Sequence, residues 1–267
     1  MRRFDSLGKE KAVLGMLHLR PMPGTPFYVE GSYEETMQIA VEDAVALAEG
    51  GATGCLVQTV DRVYTTDNTS DPARIAAVSN IVHEIDKATQ DGFQIGVQLM
   101  RNAINPSVAI AKVSNGTYVR CGAIVGATLS THGWVEPNPL EVMTYRRQIG
   151  AEHIRIIAEV DSMHYKWFGG AAVADVARQA KYVGADAVSL GDPDDEVTLR
   201  MIADVRAAVP GIPIILAGYT NHGNAAKMLA AADGAFVGTC LEKGGWAGRI
   251  DVERVREYVD IVNQIVN

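Results

Sequence analysis

Apolar residues in this chain gather into short runs, separated by longer stretches of helical period. Eight runs stand out: Ala12–Leu17, Gly54–Val60, Phe93–Leu99, Tyr118–Val125, His153–Val160, Asp186–Leu190, Ile212–Leu216 and Gly234–Leu241. Each is rich in Val, Ile or Leu without polar alternation, the pattern of a strand covered on both faces. Between them, apolar residues return at three- and four-residue steps. In SYEETMQIAVEDAVALAEGG these are Met37, Val41, Ala44 and Ala48. Ser32 with Glu35 reads as a capping box, and Gly50-Gly51 as a left-handed stop. The last helix is expected to start at the cap Asp251 and to bury Val252, Val255, Val259, Val262 and Val266.

Eight strands alternating with about eight helices imply a parallel sheet with right-handed crossovers. Eight such units in 267 residues match the size of a (β/α)8 barrel. An open doubly wound sheet is the competing arrangement. It usually has fewer strands and a glycine-rich first turn, whereas the first turn here, HLRPMPGTP, is proline-rich. No GxGxxG follows any strand. The expected architecture is one α/β domain over residues 1–267, a TIM barrel.

Composition narrows the function classes. The chain is 48% hydrophobic and 21% charged, with a net charge of −8. That acidic balance, without a Lys/Arg cluster, argues against a nucleic-acid partner. No apolar run approaches the roughly 18 residues of a membrane span, so membrane insertion is not expected. The opening MRRFDSLGKEKAVLG lacks the apolar segment of a signal peptide. Cys55, Cys121 and Cys240 are odd in number, far apart and set in apolar runs, as buried thiols in a reducing compartment would be. A cytoplasmic protein is expected.

In a barrel, chemistry occupies the C-terminal ends of the strands. The seventh run ends at Ala217-Gly218, and the eighth carries Val237-Gly238-Thr239. Loops at these two places commonly form a phosphate site in this fold, because bare backbone lets several N–H donors converge on the anion. Gly218, Gly238, Thr239 and Lys243 are therefore candidate phosphate ligands, which makes the barrel one of phosphate-binding type. The alternative is that both glycines only relieve packing at barrel corners.

Other polar residues cluster at the strand ends. The first strand delivers His18, the second Gln58 and Asp61, and the third ends with Gln98, Arg101 and Asn102. Arg120 interrupts the fourth; Glu159, Asp161 and His164 close the fifth; Asp192 follows the sixth. His18 and His164, backed by Glu159 or Asp192, supply general acid–base catalysis. Arg101, Asn102, Arg120, Gln58 and Asp61 are candidate substrate-binding residues. Arg120 and Glu159 equally suit an inward-facing ion pair, and Asp192-Pro193-Asp194-Asp195 equally suits a turn. No HxH or HExxH spacing occurs, so no metal ligand and no cofactor is assigned, with a divalent metal left open. Lys166 and Lys243 follow the strands, which disfavours a Schiff-base lysine inside the barrel.

The stretches GMLHLRPMPGTP, QLMRNA, YVRCG, EVDSMH, AGYTNHGNAAKML and ADGAFVGTCLEKGG carry a family resemblance. Over nearly its whole length the chain resembles the BtpA/SgcQ family of barrel proteins. The resemblance implies a TIM barrel of phosphate-binding ancestry and a homo-oligomer. It implies little about reaction, since one cyanobacterial branch is associated with photosystem I biogenesis and others sit among sugar-metabolism genes. By matching position it marks His18, Arg101, Asn102, Arg120, His164, Gly218, Asn224, Gly238 and Lys243 as retained. The chain departs at Gln58-Thr59, where the family pattern has Glu-Asn, and at Ala103, where it has Asp. Gly122 stands for Asn, Met163 for Lys and Ala217 for Ser. Several charged mouth positions have thus become neutral, which fits a different substrate or a loss of the ancestral chemistry.

The function expected from these residues is an enzyme acting on a small phosphorylated sugar or nucleoside-like glycoside. The reaction would be isomerisation, retro-aldol cleavage or glycosidic-bond cleavage by His and carboxylate acid–base chemistry. A non-catalytic assembly or stability factor and a phosphometabolite-binding barrel are the alternatives.

Overall fold

In the computed structural model, which describes residues 2–265, the eight apolar runs form eight parallel strands closed on themselves. The strands in chain order are β1 (Ala12–Leu19), β2 (Gly54–Thr59), β3 (Gln94–Gln98), β4 (Tyr118–Cys121), a small hairpin of β5 (Thr128–Ser130) and β6 (Gly133–Val135), then β7 (Arg155–Asp161), β8 (Ala187–Leu190), β9 (Ile214–Leu216) and β10 (Gly234–Val237). A second hairpin, β11 (Glu242–Lys243) and β12 (Arg249–Ile250), follows. The helices are α1 (Tyr33–Glu49), α2 (Pro72–Ala88), α3 (Ile104–Val113), α4 (Pro139–Gln148), α5 (Val173–Tyr182), α6 (Asp195–Ala208), α7 (Ala225–Ala231) and α8 (Val252–Asn263). The barrel closes where β1 pairs with β10, Ala12 opposite Gly234.

Two cores explain why the strands are apolar on both faces. Outward residues such as Val13, Cys55, Ile95 and Val119 pack under the helices. Inward residues form a second cluster of Leu14, Met16, Leu56, Tyr118, Ile157, Ile215 and Phe236, with Phe4 against it at the N-terminal end. Tyr118 spans this interior and donates to the Cys55 carbonyl at 2.7 Å. Its ring lies over Gly96, where a Cβ would overlap it, so the small residue is the condition for the large one.

Several local expectations change. Ser32 has helical backbone angles, so its hydroxyl turns to the Val29 carbonyl at 2.7 Å and makes no capping box. Glu35 instead accepts from Arg20 at 2.9 Å. Gly51 does adopt the left-handed conformation, at φ 87°. Asp251 caps α8 by accepting from the Arg254 N–H, and α8 buries Val255, Tyr258 and Val262. Val252 and Val259 are half-buried, and Val266 lies outside the described residues. β4 stops at Cys121 and β10 at Val237, short of the runs that predict them. Cys240 consequently sits half-buried in a 3-10 turn, while Cys55 and Cys121 are buried in strands. Among the described residues, no helix is long and apolar enough to cross a membrane.

Candidate active site

Side chains alternate along a strand, so the residue two places past an interior apolar one also faces the barrel axis, one layer nearer the C-terminal mouth. That rule places His18 above Met16, Gln58 above Leu56, Gln98 above Gly96, Arg120 above Tyr118 and Glu159 above Ile157. The interior therefore changes from apolar to polar in its last layer. Register aligns His18 with Gln58, and Gln58 with Gln98. The two glutamines share a 2.6 Å hydrogen bond, satisfying each other in a buried setting.

Arg120 donates to Glu159 at 2.9 Å, and both side chains are almost fully buried. The guanidinium also lies 4.8 Å from the centre of the Phe236 ring. Glu159 accepts a second, short hydrogen bond from the Ser162 hydroxyl. With its charge matched by Arg120, this carboxylate holds the layer together.

Above the layer opens a cavity of about 550 Å³, lined by His18, Gln58, Arg120, Met163, His164, Gly218, Tyr219, Thr220, Gly238, Thr239 and Trp246, among others. Gly218 has φ 126°, and a Cβ there would enter open space. Asn224 shapes this loop, donating to the Tyr219 carbonyl at 3.1 Å and accepting from the Asn221 N–H at 2.8 Å. Among the described residues, the N–H groups of Gly218, Tyr219, Thr220, Gly238 and Thr239 have no backbone acceptor.

The surface of His164 is open to the cavity, yet the walls crowd its ring. Lost hydration, the largest influence, holds its pKa below the ordinary imidazole value. Glu159 opposes that shift, and Arg101, Arg120 and His18 reinforce it. His18 faces Glu242, with Nδ1 to Oε1 at 3.8 Å. Its Nδ1 and the Glu242 Oε2 are both buried with no hydrogen bond among the described residues.

The structure thus brings His18, His164, Gln58, Arg120, Gly218, Gly238 and Thr239 to one cavity, with Glu159 beneath it. Four other candidates lie elsewhere. Asp61 pairs with Arg74 at 2.5 Å and accepts from the Met22 N–H, bracing the loop after β1. Asn102 holds the Ala123 backbone through both ends of its amide. Asp192 accepts from the Asp194 N–H and forms the turn ahead of α6, whose cap is Asp194. Lys243 is exposed on the β11 hairpin and bound to Asp251. Arg101 lines an adjoining lobe, with its guanidinium 5.4 Å from the centre of the Tyr64 ring.

Sequence reasoning passes over Glu242 and Trp246. The acidic residue directly after the apolar TCL segment is the one signal for Glu242. Trp246 approaches His18 at 5.9 Å between ring centres. Among the described residues, no group of three His, Cys, Asp or Glu side chains is placed to hold a metal.

A sequence profile described as the BtpA family matches residues 9–264. An uncharacterized protein of Archaeoglobus fulgidus is 30% identical over 253 residues, covering 94% of this chain and 98% of its own length. The photosystem I biogenesis protein BtpA of Synechocystis is 25% identical, covering 97% and 91%. A solved thiamine phosphate pyrophosphorylase from Pyrococcus furiosus superposes with a TM-score of 0.59 at 17% identity, covering 96% and 98%, a likeness of fold.

Proposed function

We propose, from the premise that this chain belongs to the BtpA family, that its barrel mouth binds a phosphorylated sugar or nucleoside-like glycoside and performs acid–base chemistry on it. The observation that carries the reading is the meeting of two imidazoles, His18 and His164, with the Gly218 and Gly238 loops in one cavity. The open N–H groups of Gly218, Tyr219, Thr220, Gly238 and Thr239 suit a phosphate. The P. furiosus barrel of the same fold is a thiamine phosphate pyrophosphorylase, a name in keeping with such a ligand.

His164, held below its ordinary pKa, is neutral near pH 7 and accepts a proton from the substrate. His18, steadied by Glu242, returns one to the leaving or migrating atom. This supports isomerisation, retro-aldol cleavage or glycosidic-bond cleavage, carried out in the cytoplasm by a homo-oligomer. Arg120 and Glu159 form the floor on which the substrate rests. A thermal-shift screen of inorganic phosphate, sugar phosphates, nucleotides and nucleosides tests the reading. A ligand at 100 times its Kd adds about 2.7 kcal/mol. With a hit in hand, His164→Ala should abolish turnover with little change in Tm.

One observation favours a second reading, an assembly factor. Leu129, Trp134 and Phe168 are exposed together at the β5–β6 hairpin, with the Trp134 and Phe168 rings 4.9 Å apart. A relative bears the name of a photosystem I biogenesis protein. Absence of any shift with phosphorylated ligands would bring this reading forward.

A further inference from the structure

We infer that the substrate has two anionic ends: a phosphate on the Gly218 and Gly238 backbone, and a carboxylate on Arg101. The inference rests on the proposed phosphate reading of the mouth and adds the second group. It starts from a charge with which no carboxylate among the described residues pairs directly, although Glu159 acts on it from a distance. Arg101 is half-buried at the end of β3, and among the described residues it has no salt-bridge partner. Its Nε is buried without a hydrogen bond. Lost hydration, the largest influence, pulls its pKa below the ordinary guanidinium value.

Three other cations at this end of the barrel are matched. Arg74 pairs with Asp61, Arg120 with Glu159, and Lys166 with Asp161 at 2.8 Å. A guanidinium kept partly out of water without a counter-charge is unfavourable in the free protein and becomes favourable once an anion arrives. Tyr64 stacks against Arg101 and limits its motion, so less ordering is required on binding.

Arg101 lines a lobe of about 400 Å³ beside the mouth, together with Thr128, Ser130, Thr131, Tyr165 and Phe168. Met163 and His164 line both this lobe and the main cavity. A ligand lying past His164 therefore reaches the glycine loops with one end and Arg101 with the other. The lobe offers hydroxyls and a single unmatched positive charge, because Lys166 is already bound to Asp161. A planar monoanion with two oxygens fits that supply: the guanidinium binds it through two parallel N–H donors, and the Thr128 hydroxyl, which accepts from the Lys166 N–H and keeps its own proton to donate, can take a further lone pair. A second phosphate dianion would need another cation.

The test compares a graded series of ω-carboxyalkyl phosphates with alkyl phosphates of matched length, by calorimetry on the full chain. At least one carboxylated member should bind about tenfold more tightly than its partner. Arg101→Gln should bring that member down to the affinity of the plain alkyl phosphate, and Arg101→Lys should recover only part of the gain. If alkyl phosphates bind but no carboxylated member gains, the inference is overturned while the phosphate reading stands. A gain that survives Arg101→Gln overturns it as well. Failure of inorganic phosphate and all alkyl phosphates to bind overturns the phosphate reading, and the two-ended substrate with it. The wild-type comparison decides the first case even if a variant does not fold, and for the second Arg101→Lys then takes the place of Arg101→Gln: a gain it leaves undiminished overturns the inference.

Discussion

Arg120 and Glu159 meet at 2.9 Å in the last layer of the barrel interior, each almost fully buried. Arg120 also lies against Phe236, so the polar floor of the mouth rests directly on the apolar core. Removing one partner would leave the other charge buried. Glu159→Leu should therefore lower stability by about 3–5 kcal/mol, read from urea denaturation. Arg120→Met combined with Glu159→Leu should recover most of that loss, since two apolar side chains leave no unmatched charge. A single variant as stable as the double would mean that water reaches the pair.

His164 makes a prediction with a definite sign. Its folded pKa lies below the ordinary value of 6.5, mainly through lost hydration. In acid the unfolded chain binds this proton first. The contribution of His164 to stability is therefore complete above the unfolded value, and declines as pH falls from about 6.5 toward the folded value. His164→Gln should flatten the stability profile in that window. An activity that uses the neutral ring should keep its acid limb below pH 6.5. An NMR titration of His164 with its midpoint at or above 6.5 would contradict both expectations.

How much was legible in the sequence follows from which way each residue's backbone leads. Strands buried on both faces leave unbroken apolar runs, so all eight barrel strands are visible before folding. His18, Gln58, Arg120 and Glu159 are legible because they sit within or at the end of those runs, where strand alternation determines their direction. Beyond the last strand residue that rule lapses. Asp61, Asn102 and Lys243 stand close to strand ends in sequence, but loop geometry turns them to Arg74, Ala123 and Asp251. Glu242 shows the reverse. A 3-10 turn after Gly238 folds the chain back, so a residue past the strand comes to face His18. The β5–β6 hairpin has three-residue strands, too short for any period to show.

The interior below the site can be tested by the pairing of Gly96 with Tyr118. A Cβ at position 96 would overlap the Tyr118 ring, which is fixed by its bond to the Cys55 carbonyl. Gly96→Ala should lower stability by about 1–3 kcal/mol through overpacking. In a Tyr118→Leu background the same substitution should cost much less, and the double-mutant cycle measures the coupling. Equal costs in both backgrounds would mean that the two residues do not constrain each other.

Backbone and side chain can be told apart as the holder of phosphate. Gly218 borders the cavity at φ 126°, where any other residue strains the backbone and adds atoms to the space a ligand needs. Lys243 has the charge that a sequence argument favours, but it is exposed, bound to Asp251 and outside that cavity. If phosphate is held by backbone N–H groups, its thermal protection should vanish in Gly218→Val. That variant should lose only about 1–3 kcal/mol of stability, because the substitution meets strain and no clash. Lys243→Ala should keep the protection within about twofold in Kd, a change below 0.5 kcal/mol. The opposite pattern, protection lost with Lys243 and kept without Gly218, would move the anion to the β11 hairpin and leave Gly218 as a turn residue.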